Sequence, residues 1–173
     1  MSKKHAQLSW LNDTVPISDK FEDSYYSLEN GLHEANYVFI DGNSLQNRLS
    51  HGFQIAELGF GTGLNFLATC AAWNKTSKTG KFNFVSFEGY PISNLDVRKA
   101  HLLFPELSEY AEILQTRWDE IIEGNLVDFG FANLKVFIGD VSKTLRVFNS
   151  KVDLRFGLER IVVYLVVHSH IPM

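Results

Sequence analysis

One stretch, from Ile55 to Leu67, constrains the fold more than any other part of the chain. The apolar run from Phe53 to Leu58 predicts a strand, and the sequence from Leu64 to Trp73 predicts a helix. Three glycines at alternate positions lie between them, where they allow a tight turn and let a ligand approach the backbone. Strand, glycine turn and helix together predict a loop whose amides face a polar, nucleotide-like ligand. The alternative is an ordinary strand-to-helix turn that contains glycine.

The spacing of these glycines distinguishes between nucleotide ligands. A dinucleotide fingerprint, Gly-x-Gly-x-x-Gly, requires a third glycine at position 64, which is Leu64. The third glycine is instead Gly63, and the acid Glu57 precedes Gly59 and Gly61. This pattern resembles motif I of the class I S-adenosylmethionine methyltransferases. In that family the acid and the glycine loop hold the amino-acid end of the cofactor, so the resemblance favours S-adenosylmethionine over NAD.

Acidic residues end three of the predicted strands: Glu57, Glu88 and Asp140. Ligands of open α/β sheets bind beyond the carboxyl ends of the strands. Glu88 lies 25 residues after Gly63, close to the spacing at which an acidic residue binds the ribose of a nucleotide. An ionised carboxylate suits this role because it accepts hydrogen bonds from the ribose hydroxyls. Asp140 matches the methyltransferase position that accepts a hydrogen bond from the adenine amino group. Each acid alone also fits a solvated strand end, so the prediction depends on their combination with the glycine loop.

Alternating strand and helix patterns predict an α/β fold with a parallel sheet. The predicted core strands cover residues 53–58, 82–88 and 134–138, with a fourth opening at Val152-Asp153; the predicted helices cover 64–73, 94–104, 106–118 and 142–148. Ser93 is the expected cap of the second helix, and residues 124–133 resemble a loop. Before the core, Tyr37 to Ile40, the turn Asp41-Gly42 and a partner around Ser44 predict a β-hairpin, whereas residues 8–34 show no sustained periodicity.

Composition predicts one globular domain. The chain has 173 residues, 45% of them hydrophobic and 21% charged, and a formal net charge of −4 that gives no general attraction to nucleic acid. A protein with this net charge can still have a local basic patch that binds RNA. The cluster of Lys75, Lys78 and Lys81, however, fits a solvated loop better than a site of phosphate contact. The sequence predicts neither a transmembrane segment nor a signal peptide. We therefore expect a cytoplasmic protein. The single cysteine, Cys70, is expected to be buried and structural.

Further motifs narrow the resemblance to one family, the bifunctional tRNA 5-methylaminomethyl-2-thiouridine biosynthesis proteins, and within it to the methyltransferase domain. Glu57 to Phe66 is similar to that family's own form of motif I. Other matching segments occur in the family's order on both sides of this motif and extend the resemblance over roughly residues 8–153: Leu8–Trp10, Pro16-x-Ser18, Phe21–Ser27, Asn30–Glu34, Tyr37–Phe39, Asn43-x-Leu45-x-x-Arg48, Ser86–Glu88, Phe104-Pro105 and Gly139–Val141.

The resemblance implies a Rossmann-like sheet with an N-terminal hairpin extension (residues 1–52), a cofactor-binding core (53–153) and an atypical tail (154–173). It implies methylation of the 5-aminomethyl group of the wobble 2-thiouridine, with tRNA and an oxidase domain or protein as partners; FAD belongs only to that separate oxidase. No metal is implied, and no catalytic residue is assigned. The implied cofactor-binding residues are Glu57, Gly59, Gly61, Gly63, Asn65, Glu88 and Asp140, and Asp23 and Tyr25 are expected to line the substrate side.

The C-terminal sequence departs from the family. After Asp153 the family continues with an Asp-Gly-Phe-Ala-Pro type motif whose acid lies beside the target amine, and the chain has no counterpart, as in a truncated or frame-shifted sequence. Ile161 to Val167 is expected either to pair as a replacement strand or to be an exposed, aggregation-prone segment. His168 and His170 fit tail residues better than metal ligands. The missing motif leaves open an inactive cofactor-binding remnant. The net charge, which does not indicate RNA binding, leaves open a methyltransferase for another amine.

Overall fold

The structure is a computed structural model and describes residues 5–27, 30–145 and 161–164. Strands and helices alternate through most of the chain. In order, the elements are β1 Leu8–Leu11, β2 Val15–Ser18, β3 Asp23–Ser24, α1 Gly31–Glu34, a π-helix Ala35–Asp41, α2 Leu45–Arg48, β4 Gln54–Leu58, α3 Leu64–Asn74, β5 Phe82–Glu88, α4 Asn94–His101, a 3₁₀ turn Pro105–Leu107, α5 Ser108–Thr116, α6 Trp118–Ile122, β6 Leu126–Asp128, β7 Ala132–Ile138 and β8 Ile161–Tyr164.

The central sheet has five strands in the order β6-β7-β5-β4-β8. β4, β5, β7 and β8 pair in parallel, so their carboxyl ends lie at one edge. β6 pairs antiparallel with β7, with Leu126 opposite Lys135. The sheet is therefore mixed, and the expectation of a wholly parallel sheet was wrong at β6. β6 has only three residues, with the buried Val127 between two exposed neighbours. So short an alternation could not be distinguished in the sequence from the predicted loop.

Aromatic and aliphatic side chains on one face of the sheet, together with the helices packed against them, form the core. Phe82 and Phe84 on β5 and Leu134 on β7 are fully buried. Phe66 on α3 packs against Phe84 edge to face, with ring centroids 5.4 Å apart. Cys70 on α3 is 1% exposed, which confirms the expectation of a buried thiol. The burial of this helix on nearly all sides explains why its sequence is apolar without a clear polar face.

A small antiparallel sheet precedes the core, in the order β1-β2-β3. β1 and β2 form the hairpin, with Leu8 opposite Ser18, and Asn12 and Asp13 in its turn both have positive φ, as hairpin turns of the primed types require. The sequence-based hairpin over residues 37–44 was wrong, because Ala35–Asp41 is a π-helix. This helix buries Phe39 and Ile40 and leaves Tyr37 and Val38 exposed.

Two of the predicted core helices differ from the structure in their bounds. Ser93 caps α4, its hydroxyl accepting a hydrogen bond from the Asp96 N–H at 3.1 Å, and α4 ends at His101 rather than at 104. The predicted helix 106–118 consists of three elements, the 3₁₀ turn, α5 and α6. Arg117 separates α5 from α6. Residues 141–145 are helical, and Asp140 rather than Ser142 caps them, its Oδ1 accepting a hydrogen bond from the Ser142 N–H. The remainder of the predicted helix, to residue 148, lies outside the described residues.

The C-terminal segment contributes one described strand. β8 pairs with β4 in parallel, with Ile161 opposite Gln54 and Tyr164 opposite Glu57. The predicted replacement strand is thus confirmed over residues 161–164, whereas the strand expected at Val152-Asp153 and the two tail histidines lie outside the described residues. Within the described ranges, no helix is long and apolar enough to cross a membrane.

Candidate functional site

A cavity of about 670 Å³ opens at the carboxyl ends of β4, β5 and β7. The glycine loop between β4 and α3 and the residues that follow β5 and β7 form one wall of this cavity. The small N-terminal sheet forms the opposite wall. Of the residues predicted for the site, the cavity is lined by Gly59, Gly61, Glu88, Asp140, Asp23 and Tyr25.

Glu88 connects the end of β5 to the glycine loop. Its Oε2 accepts a hydrogen bond from the Gly61 N–H at 2.9 Å, and its Oε1 accepts one from the Tyr90 N–H at 2.8 Å. Backbone hydrogen bonds to a carboxylate are charge-assisted and hold both partners in place. Each oxygen retains a further lone pair, so the half-buried carboxylate can still accept hydrogen bonds from a ligand in the cavity.

The glycine loop has positive φ at Gly59 and Gly63, at 85° and 78°. A Cβ at Gly59 would meet no atom within 4 Å, whereas one at Gly63 would lie 3.0 Å from Leu114 Cδ2 and 3.1 Å from Phe60 Cζ. Gly59 therefore leaves room in the cavity, and Gly63 allows the loop to pack against the core. Gly63 does not line the cavity, so its position below the loop differs from the ligand contact that was predicted.

Glu57 lies beneath the glycine loop and does not line the cavity. Its side chain is 2% exposed; Oε1 accepts a hydrogen bond from Asn65 Nδ2 at 2.8 Å and Oε2 accepts one from Ser86 Oγ at 3.0 Å. Burial, and to a smaller extent the charge of Glu88, raises the pKa of this carboxyl to about 8. Glu57 and Asn65 thus join β4, α3 and β5 below the loop. Both residues were predicted to bind the cofactor, and the structure places the Glu57–Asn65 contact beneath the loop.

Asp140 follows β7 at the cavity edge and is exposed. Its Oδ1 accepts hydrogen bonds from the Ser142 N–H at 2.8 Å and from Ser142 Oγ at 2.5 Å. These hydrogen bonds, the hydroxyl first, lower the pKa of the Asp140 carboxyl. The side chain is therefore ionised at neutral pH and orients the start of the helical segment 141–145.

Aromatic residues of the N-terminal sheet cover the loop from the opposite wall. The Tyr25 ring lies close to Gly61, since a Cβ on that glycine would be 3.1 Å from Tyr25 Cδ1. Burial, followed by the charge of Glu88, raises the pKa of the Tyr25 hydroxyl, so this group stays protonated. Asp23 also lines the cavity, and its Oδ1 accepts a hydrogen bond from the Ser24 N–H at 2.9 Å.

Three residues at the cavity mouth were not anticipated from the sequence. Lys20 donates a hydrogen bond to the Tyr90 hydroxyl, and its Nζ lies 3.5 Å from the centroid of the Tyr90 ring. Phe21 packs against the same ring edge to face, with centroids 5.7 Å apart. Lys20 and Phe21 belong to the N-terminal sheet wall and Tyr90 to the loop after β5, so the contact joins the two walls. Only tertiary structure brings these positions together.

Metal ligation finds no support in the described part of the chain. No group of three or more histidine, cysteine, aspartate or glutamate side chains that could hold a metal ion occurs there.

Known proteins resemble this chain over most of its length. The tRNA 5-methylaminomethyl-2-thiouridine biosynthesis bifunctional protein MnmC of Leptospira borgpetersenii is 43% identical over 157 residues, which cover 86% of this chain and 24% of that protein. MnmC of Vibrio cholerae is 40% identical over 157 residues, covering 83% of the chain and 23% of its own length. This chain is a relative of the MnmC proteins. The family resemblance recognised in the sequence is thereby confirmed, although the chain spans only about a quarter of the length of these relatives.

A solved structure supports the fold of this MnmC relative. A crystal structure of MNMC2 from Aquifex aeolicus matches with a TM-score of 0.60 and 20% identity, covering 84% of this chain and 46% of that one. At this identity the match establishes the α/β fold and nothing finer. No protein-family model matches the chain.

Proposed function

We propose that this MnmC relative binds S-adenosylmethionine in the cavity at the carboxyl edge of its sheet and acts as the methyltransferase unit in modification of the tRNA wobble uridine. One observation carries the cofactor assignment: a cavity of about 670 Å³ lies at the ends of three neighbouring parallel strands and is bounded by the glycine loop and two acids. Its volume is that of a small-molecule pocket, and its position is the usual ligand position in open α/β sheets. The tRNA and the modified uridine come from the relatives' names.

The residues around the cavity fit the chemical groups of this cofactor. Glu88 has acceptor capacity left on both oxygens for the two ribose hydroxyls. Gly59, with no side chain, leaves the loop backbone open to the amino-acid end of the ligand. Asp140, ionised at neutral pH, is an acceptor suited to the adenine amino group. Glu57 and Asn65 act indirectly, by holding the loop from below.

The cofactor, when bound, supplies a methyl group attached to a positively charged sulfur. Transfer of this group to an amine depends on alignment of the reacting atoms, so the chain's contribution is chiefly to bind and orient. We propose that Asp23, on the opposite wall, accepts a proton from an incoming amine or orients it. Tyr25, kept protonated, contributes a hydroxyl rather than a second negative charge.

The decisive experiment is calorimetric titration of the chain with S-adenosylmethionine and S-adenosylhomocysteine. Hydrogen bonds to charged groups contribute about 1.5–3 kcal/mol each, so Glu88→Gln and Asp140→Asn are each expected to weaken binding about ten- to hundredfold. Asp128→Asn is the matched control, because Asp128 lies at the end of the sheet away from the cavity. It forms an ion pair with Lys81 and pairs with Asn133 near the start of β7. A folded wild-type chain that binds neither ligand contradicts the proposal.

A second candidate, cofactor binding without catalysis, is favoured by the sequence after Asp153, which lacks the family's Asp-Gly-Phe-Ala-Pro type motif. Incubation with S-adenosylmethionine and tRNA bearing 5-aminomethyl-2-thiouridine, followed by chromatography of the nucleosides, separates the two. Formation of the methylated nucleoside supports the enzyme, whereas binding without product supports the second candidate. Methylation of a free amine but not of the tRNA nucleoside points to a different substrate.

A further inference from the structure

A buried histidine holds the glycine loop without lining the cavity. His101, the last residue of α4, is 4% exposed, and its Nε2 lies 2.8 Å from the carbonyl oxygen of Thr62. Thr62 stands between Gly61 and Gly63 and is itself 3% exposed. The sequence gives no sign of this contact, because the histidine follows the loop by almost forty positions and ends an otherwise ordinary amphipathic helix.

Hydrogen-bond chemistry fixes the form of the His101 ring. A carbonyl oxygen only accepts, so Nε2 carries the proton and donates to Thr62. Gln115 Nε2, on α5, lies 3.0 Å from His101 Nδ1 and donates to it, which requires a neutral ring. Arg98 Nη1 approaches Gln115 Oε1 at 3.5 Å and favours the same amide orientation. Burial lowers the pKa of His101, in agreement with the neutral form.

The loop is therefore held by hydrogen bonds on more than one side, and the Gly63 N–H donates to the Phe60 carbonyl oxygen at 2.8 Å. Gly61 donates its N–H to Glu88 on the cavity side, and Thr62 accepts from His101 on the other. Because the Thr62 carbonyl and the Gly63 N–H belong to one rigid peptide plane, the histidine also orients the amide at the start of α3, whose N-cap is Gly63.

We propose that His101, oriented by Gln115, is a positioning residue that sets the conformation of the glycine loop and thereby the affinity for an adenosyl ligand. The ligand part of this inference rests on the proposed function; the loop part does not. Without the His101 hydrogen bond, this peptide keeps only the contact of the Gly63 N–H with the Phe60 carbonyl oxygen and should reorient in part of the chains, so a ligand that binds the loop would have to select the original conformation from a mixture. Affinity falls by the fraction of chains that hold that conformation.

The experiment combines loop spectroscopy with ligand binding. His101→Phe keeps a ring of similar size but makes neither hydrogen bond; Gln115→Leu removes only the donor to Nδ1; His101→Gln restores an amide that can donate to Thr62. His33→Phe is the matched control, since His33 is exposed on α1 and stacks on Tyr37. The readouts are the ¹⁵N shifts of the histidine rings, the amide signals of Gly61 and Gly63 without ligand, and the dissociation constant of S-adenosylhomocysteine.

We expect the Nε2–H form of His101 in the wild-type chain. We also expect shifted Gly61 and Gly63 signals and about five- to tenfold weaker binding in His101→Phe, a smaller effect in Gln115→Leu, recovery in His101→Gln and no change in the control. If His101→Phe does not fold, Gln115→Leu decides. Unchanged glycine signals, an Nδ1–H ring, or shifted signals with unchanged affinity each overturn the proposal. A wild-type chain that binds no adenosyl ligand contradicts the proposed function, while the glycine signals still decide whether His101 positions the loop.

Discussion

At the scale of single residues, Glu57 couples the stability of the fold to pH. Burial raises its folded pKa to about 8, whereas an unfolded glutamate has a pKa of about 4.3. Between these values the folded chain holds a proton that the unfolded chain has lost. Stability from this group is therefore greatest at low pH and falls as the pH rises towards 8, by on the order of 1 kcal/mol for each pH unit.

Substitution Glu57→Gln mimics the protonated form, because an amide can accept from Asn65 and still meet Ser86. We expect the variant to lose this pH dependence, so that the difference in unfolding free energy between the variant and the wild type increases from pH 5 to pH 8. Urea denaturation across that range measures it, with Glu106→Gln, an exposed acid on the 3₁₀ turn, as the control. A difference that stays constant with pH contradicts the assignment.

Gly59 offers a second test at this scale, with Gly52 as its match. Both have positive φ, at 85° and 75°, and a Cβ at either would meet no atom within 4 Å. Alanine at either position should destabilise the fold by a similar amount, about 1–2 kcal/mol, from backbone strain alone. Only Gly59→Ala places a methyl group in the cavity, so it alone should weaken binding of S-adenosylhomocysteine. Equal affinities in the two variants would place the ligand elsewhere.

At the scale of elements, the contact of Lys20 and Phe21 with Tyr90 is one of those that join the N-terminal sheet to the core; the ion pair of Asp13 with Lys99 is another. Such cation–π and aromatic contacts contribute about 0.5–1.5 kcal/mol each. Tyr90→Ala should therefore accelerate hydrogen exchange about three- to tenfold in residues 15–24 and leave β5 unchanged. Tyr37→Ala is the control, because Tyr37 is 69% exposed on the π-helix. Equal exchange in the two variants would show that the contact does not hold the sheet.

The elements that sequence predicted correctly are those with strong local signals. β4 and β5, with their long apolar or alternating runs, and α3, introduced by the glycines, were predicted within about a residue. The π-helix over 35–41 was mistaken for a strand because its run Tyr37 to Ile40 is β-prone, while the burial of Phe39 and Ile40 is a tertiary effect. The hairpin at Asn12-Asp13 did carry a turn signal, but its four-residue strands were too short to show alternation.

At the scale of the whole molecule, the candidate site was predictable in part. The carboxyl ends of parallel strands meet at one edge whatever the details, so Gly59, Gly61, Glu88 and Asp140 could be brought together from order and spacing alone. The sequence could not show that Glu57 faces inward. Nor could it show that His101 reaches the loop, because such contacts depend on how helices pack against the sheet.

The strand β8 gives the last prediction, because it covers the side of β4 that the other described strands leave open. Its register places Val162 opposite Ile55 and Val163 opposite Ala56, directly before Glu57 and the glycine loop. Consecutive strand residues direct their N–H groups to opposite sides, so one of these two valines donates towards β4. The double variant Val162→Pro, Val163→Pro should thus lower the unfolding free energy by about 1–3 kcal/mol and increase light scattering, since an unpaired strand edge promotes aggregation. An unchanged urea midpoint and unchanged scattering would show that the strand contributes nothing to the stability of the central sheet.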